Sequence, residues 1–145
     1  MYVPVKRVSS DVQMPEYQSE GASGFDLHAY MENSVFIEPR SINIIPTGLH
    51  FSIPSGYELQ VRSRSGLAAN QGVMVLNSPG TVDSDYRGEV KVILINLGNE
   101  RVKITPGDRV AQGVVTSVEQ VILQDIETEL KASTRGSEGF GSTGK

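Results

Sequence analysis

The side chains able to do chemistry in this 145-residue chain gather in five short stretches rich in Gly, Ser and Asp. Residues 77–90, NSPGTVDSDYRGEV, carry two aspartates, Asp83 and Asp85. Residues 62–70, RSRSGLAAN, and 107–113, GDRVAQG, place Arg62, Arg64 and Arg109 beside small residues. Arginine offers a rigid fork of donors that matches phosphate or carboxylate. Residues 22–30, ASGFDLHAY, add Asp26, and the chain ends in EGFGSTGK. Inside that ending, 139–145 fits G-x-x-x-x-G-K, the start of a phosphate-binding loop that normally leads into a helix and a following Ser or Thr. Lys145 has neither after it, so the glycines read better as backbone donors able to approach an anion closely. Taken singly, each stretch has a plainer reading. SPG, DSDYRG and PGDR all suit turns, and RSGL suits a capped turn. His28 and His50 show no metal-ligand spacing and are read as structural.

The elements that must hold these stretches are short strands. The runs 2–8, 34–39, 41–46, 48–54, 57–63, 73–76, 89–96, 101–104 and 109–118 are rich in Val, Ile, Phe and Tyr, with Gly, Pro, Asn or Asp between most of them. Such spacing predicts an all-β sandwich or barrel. YELQV alternates and predicts one wet face, whereas VILI (92–95) is continuous and reads as a core strand. The helical signal is confined to 63–72, where Ser63 or Ser65 would cap one turn ending at Gly72. Residues 131–145 hold one large apolar side chain, Phe140, and are expected to form a flexible tail beyond a 1–130 domain.

The totals narrow the function. A net charge of -4 argues against a general nucleic-acid binder but permits a small polyanion in a locally basic pocket. Eight of the thirteen basic residues are Arg. Without Cys there is neither a disulfide framework nor a thiolate metal site. No apolar run reads as a secretory signal or membrane span, so a cytoplasmic protein with no membrane partner is expected.

In order and with compatible gaps, the five stretches resemble the five motifs of the trimeric dUTPases, the deoxyuridine triphosphate nucleotidohydrolases, from residue 22 to the last residue. That resemblance implies a distorted jelly-roll-like β-barrel with one short helix, three subunits sharing each active site, and Mg²⁺ held mainly through substrate phosphates. It implies outer-shell support from Asp26 and phosphate binding by Arg64, Ser65, Gly66 and Gln112. The base and sugar pocket would run from Asn77 to Tyr86, with Gly80 and Val82 in its wall. Asn77 would bond uracil, and Tyr86 would pack under deoxyribose and leave no room for a 2′-hydroxyl. Asp83 would accept the proton of the water attacking the α-phosphorus. From the tail, Arg135, Gly141, Ser142 and Thr143 would reach the phosphates, and Phe140 would stack on the base.

Physical chemistry agrees with these roles. Water attack at the α-phosphorus needs a proton acceptor and positive charge, and Val82 and Pro79 are expected to limit the hydration of Asp83. Asp85 is the rival carboxylate, and the motif match favours Asp83. A pocket built to bond the uracil edge leaves cytosine with unpaired polar groups, and Pro79 stiffens the hairpin against the thymine methyl. Three positions depart from the family's habit: Glu138 stands where a Gly is common, and Asn70–Gln71 where Lys-His is common. The rival enzyme, a dCTP deaminase, needs a catalytic Glu where NSPGTVDSDY offers Asp. A non-catalytic nucleotide sensor needs no water-activating carboxylate at all.

Overall fold

Apolar residues at alternate positions fold into two four-stranded antiparallel sheets that share one core; the computed structural model describes residues 1–139. In chain order the strands are β1 (Val5–Arg7), β2 (Phe25–His28), β3 (Val35–Ile37), β4 (Ile42–Phe51) and β5 (Tyr57–Arg62). After α1 (Ser65–Gln71) come β6 (Val73–Val75), β7 (Gly80–Val82), β8 (Val90–Asn96), β9 (Val102–Ile104) and β10 (Arg109–Ser117). One sheet runs β1-β4-β8-β6, the other β2-β10-β5-β7, and β3 pairs with β9. Leu27, Leu59, Val61 and Ala111 from the second sheet meet Ile45, Leu49, Val92 and Leu94 from the first in the core. This is a distorted jelly roll, as expected. No helix among the described residues is long and apolar enough to cross a membrane.

Three details differ from the sequence reading. The runs 41–46 and 48–54 are largely one strand, β4, interrupted by a bulge between Pro46 and Leu49. Pro46 has no N–H to give the ladder. The Thr47 hydroxyl donates to the Val90 carbonyl (2.5 Å) and the Glu89 carboxylate accepts from the Gly48 N–H (2.8 Å), so polar groups substitute for ladder bonds. Gly48 lies at φ 68°, and a Cβ there would stand 2.6 Å from Val12. VILI is not buried on both faces. Val92 and Leu94 face the core, while Ile93 and Ile95 are only half-buried and stand opposite Ile44 and Ile42, which are 61% and 54% exposed. The continuous run therefore encodes a core face and an apolar outer face.

The helix forms where expected, but neither Ser63 nor Ser65 caps it. Arg64 occupies the N-cap position with no side-chain cap bond, and the Ser63 hydroxyl instead accepts the Val75 N–H at 2.9 Å. Gly72, at φ 67°, closes the helix by donating to Ala68 and Leu67. YELQV behaves as its alternation predicts: Leu59 and Val61 are buried, and Glu58, Gln60 and Arg62 point outward.

Candidate active site

β2 carries Asp26 on the face opposite Leu27, next to the first residues of β10. Asp26 is 8% exposed, and both of its oxygens are engaged. Arg64 Nε donates to Oδ1 at 2.9 Å, and Arg109 Nη1 donates to Oδ2 at 3.2 Å. Arg64 Nη1 also donates to the Arg109 carbonyl at 3.1 Å. Gln112 is register partner to Asp26 on β10, and its amide donates to the Ser63 carbonyl at 2.9 Å. A Cβ at Gly24 would stand 2.7 Å from the Gln112 Oε1 and 3.2 Å from the Gly113 carbonyl, so a side chain there would have to push the glutamine aside. Asp26, Arg64, Ser65, Gly66, Arg109 and Gln112 line a cavity of about 310 Å³, together with Gln18 and Gly24. Two cations and one carboxylate leave it net positive, as a polyanion requires.

The cavity contains every residue expected on the phosphates apart from those of the tail. It also contains Arg109, to which the motif match gave no role. Its signal was present in the sequence, an arginine in a Gly- and Asp-rich turn. Gln18, exposed on a loop, carried no such signal. His28 flanks the cluster on the same face of β2, opposite Arg109. Burial pushes its pKa below the usual value; the Asp26 carboxylate opposes that shift, and Arg109 and Arg64 add to it. The Arg87 carbonyl accepts from His50 Nδ1–H at 2.9 Å, a structural role.

The second group of expected residues lies at the other edge of the same sheet. β7 pairs with β5 so that Gly80 faces Val61 and Val82 faces Leu59. A Cβ on Gly80 would come within 3.0 Å of the Asn77 amide and 3.4 Å of Val61, so a larger residue there would have to shift Asn77. Asp83 accepts the Tyr86 N–H at 3.2 Å, closing a turn over 83–86. Asp83 is exposed, so Val82 and Pro79 of its own chain do not limit its hydration as expected. The Tyr86 hydroxyl donates to the Glu89 carbonyl at 3.1 Å, and its ring lies so close over Gly88 that a Cβ there would collide with it.

Within one chain these two groups do not meet. Asp83 lies beyond the Val82–Leu59 pair toward Tyr57, whereas Arg64 lies beyond the opposite end of β5. Five residues from Leu59 to Arg64 cover roughly 15 Å of extended chain. The widest cleft at Asp83, about 530 Å³, is lined by Glu58, Asp83, Asp85 and Glu119 and offers no cation to a phosphate. Size does not identify the site here; charge does.

Arg135 lies in an exposed segment, where its Nε donates to the Glu138 carbonyl at 2.9 Å. Phe140, Gly141, Ser142 and Thr143 fall outside the described residues. From Glu119 to Glu138 the chain forms no strand or helix and is exposed throughout.

Comparison with known proteins agrees with this geometry. The dUTPase family model matches residues 10–144. The deoxyuridine 5′-triphosphate nucleotidohydrolase of Helicobacter pylori (strain P12) is 52% identical over 144 residues, covering 99% of this chain and 97% of that protein. The enzyme of the same name from Chlamydia trachomatis serovar L2 is 52% identical over 139 residues, covering 96% of each. Among solved structures, the Staphylococcus bacteriophage 80alpha dUTPase with dUPNHPP superposes with a TM-score of 0.87 at 26% identity, covering 99% of both chains. With half the residues shared over nearly its full length, and the motif residues gathered where the fold places them, the chain belongs to the dUTPase family.

Proposed function

We infer that the chain hydrolyses dUTP to dUMP and pyrophosphate in the cytoplasm, limiting uracil in DNA and supplying dUMP for thymidylate synthesis. The observation that carries this reading is the net-positive cavity built on Asp26, which collects Arg64, Ser65, Gly66 and Gln112 from three separate stretches. Those residues hold the phosphates. Asp83 accepts the proton of the attacking water, and the Asn77–Tyr86 hairpin, with Gly80 and Val82, receives base and sugar. Arg135, Phe140, Gly141, Ser142 and Thr143 close over the ligand, in a tail at 131–145 separate from the 1–130 domain.

The protein acts as a homotrimer with shared sites. Three observations support this reading. The phosphate cavity and Asp83 are too far apart to act on one phosphorus within a chain, so a hairpin from another copy must complete each cavity. Ile42 and Ile44, with Ile93 and Ile95 beside them, form an apolar outer face that a soluble monomer rarely leaves open. The segment after β10 exposes Val121, Ile122, Leu123 and Leu130 in the same way.

Mg²⁺ fits the donor set as a cation carried by the substrate. Among the described residues no group of three or more His, Asp or Glu is placed to hold a metal, and the Asp26 oxygens are already bonded to arginine. Mg²⁺ binds readily through phosphates while keeping several waters, with Asp26 supporting it through water. When bound it supplies charge neutralisation on the triphosphate. Pyrophosphate release from dUTP, dCTP, dTTP and UTP, with and without Mg²⁺, tests the reading. Release from dUTP alone, dependent on Mg²⁺, is expected; release from dCTP at a comparable rate, or none from dUTP, would overturn it.

A further inference from the structure

Arg109 enters the phosphate cavity from a backbone fixed on both sides. Asp108 accepts the Thr105 N–H at 2.7 Å through its side chain and the Ala29 N–H at 2.8 Å through its carbonyl. Gly107 donates to the Ala29 carbonyl at 2.8 Å. Immediately afterwards the β2–β10 register shifts between Arg109 and Ala111, and such an irregularity re-aims a side chain relative to a regular ladder. The Arg109 guanidinium then bonds Asp26 while its side chain stays 48% exposed on the cavity wall. A guanidinium has five N–H donors, and the Asp26 contact uses one of them.

Asp26 is the difficulty that this arrangement resolves. A buried carboxylate at a triphosphate site repels its ligand. It is tolerable there only if its effect on the arginines outweighs that repulsion. Arg64 and Arg109 each take a different oxygen of the same carboxylate, so one anion fixes two forks on one cavity. We propose that Arg109 is a second polyphosphate-binding residue, and that Asp26 is the positioning residue that holds both arginines toward the ligand. The proposal rests on the dUTP-hydrolysis reading for the identity of the ligand.

The test titrates the full-length protein with inorganic tripolyphosphate by calorimetry, in EDTA and again with Mg²⁺, and separately with dUMP. Arg109→Gln should weaken tripolyphosphate by about 10- to 100-fold, the range for losing a charge-assisted bond, and dUMP by no more than about threefold. Arg109→Lys keeps a charge for Asp26 but loses the fork, and should lie between Gln and wild type with unchanged melting temperature. Asp26→Asn gives the sharper sign. A carboxylate that merely repels the ligand predicts tighter tripolyphosphate binding in this variant, whereas a positioning role predicts weaker binding. Tighter binding by Asp26→Asn, or unchanged binding by either Arg109 variant, overturns the proposal, as does wild-type protein that binds no tripolyphosphate in either condition. Should Arg109→Gln fail to fold, the Lys variant decides alone. Wild-type turnover of dUTP with normal binding by the Arg109 variants would sink only this inference. Tripolyphosphate binding without dUTP turnover would sink only the functional reading.

Discussion

The two edges of the β2-β10-β5-β7 sheet are built to different standards of completeness. At the β2 edge a carboxylate and two arginines already hold one another, and Gln112 beside them is tied to the Ser63 carbonyl, with distances of 2.9 to 3.2 Å. At the β7 edge Asp83 is exposed among other carboxylates, in a segment held by the β5–β7 ladder and by a turn closed on its own backbone. The first edge is preorganised for an anion before ligand arrives. The second has a positioned carboxylate but nothing for it to act on. If, as proposed, copies of the chain complete one another's sites, phosphate affinity lies in one chain and turnover in the association of chains.

The largest effect is expected at the unfinished edge. Asp83→Asn should lower kcat by about 10²- to 10⁴-fold, the usual contribution of a general base, while binding of a non-hydrolysable dUTP analogue is kept. Near-normal turnover would move the role to Asp85 and break the contrast between the edges. Deleting residues 135–145 should lower turnover next most severely and leave the melting temperature unchanged, because the described part of that segment is exposed and joins no sheet. Unchanged turnover would mean that these residues take no part in the site. A smaller effect is expected at Tyr86. Replacing it with Ala should raise the UTP/dUTP ratio of kcat/KM by about 10-fold or more as the sugar gains room; an unchanged ratio removes its steric role.

The smallest effect sharpens the contrast from the finished edge. His28 has a pKa lowered chiefly by burial, so the unfolded chain binds a proton more readily than the folded one. Its stabilising contribution is complete above the unfolded value near 6.5 and is lost as pH falls through that value toward the lower folded one. Between pH 7 and 5.5 the melting temperature should fall more for wild type than for His28→Gln, by on the order of 2 °C. Equal falls would show that His28 does not report on this cluster.

Most of the strand content was legible because alternation and turn residues are local signals. YELQV declared its wet face, and Gly72 declared the helix end. β2 and β7 were not legible as strands, since FDLH and GTV sit inside Gly- and Ser-rich stretches that read as loops. The outer face of β8 was not legible for a different reason. A continuous apolar run looks the same whether its second face meets the core or lies at the surface. The motifs grouped Arg64, Gln112 and Asp83 in one expected site; the fold brings Arg64 and Gln112 into one cavity and sends Asp83 to the opposite sheet edge, which no sequence spacing reveals. Arg109 went unassigned because its importance lies in sharing Asp26 with a residue 45 positions away.

Complementation between two inactive variants tests the divided site most directly. Arg64→Gln removes one edge and Asp83→Asn the other, so neither protein alone should turn over dUTP. After the two are mixed, dissociated and reassembled, some sites would combine an intact Arg64 from one chain with an intact Asp83 from another. Recovery of pyrophosphate release to a sizeable fraction of the wild-type rate, absent before reassembly, is the expected result. No recovery from a mixture shown to have exchanged chains would contradict the account, because it would mean that each chain completes its site alone.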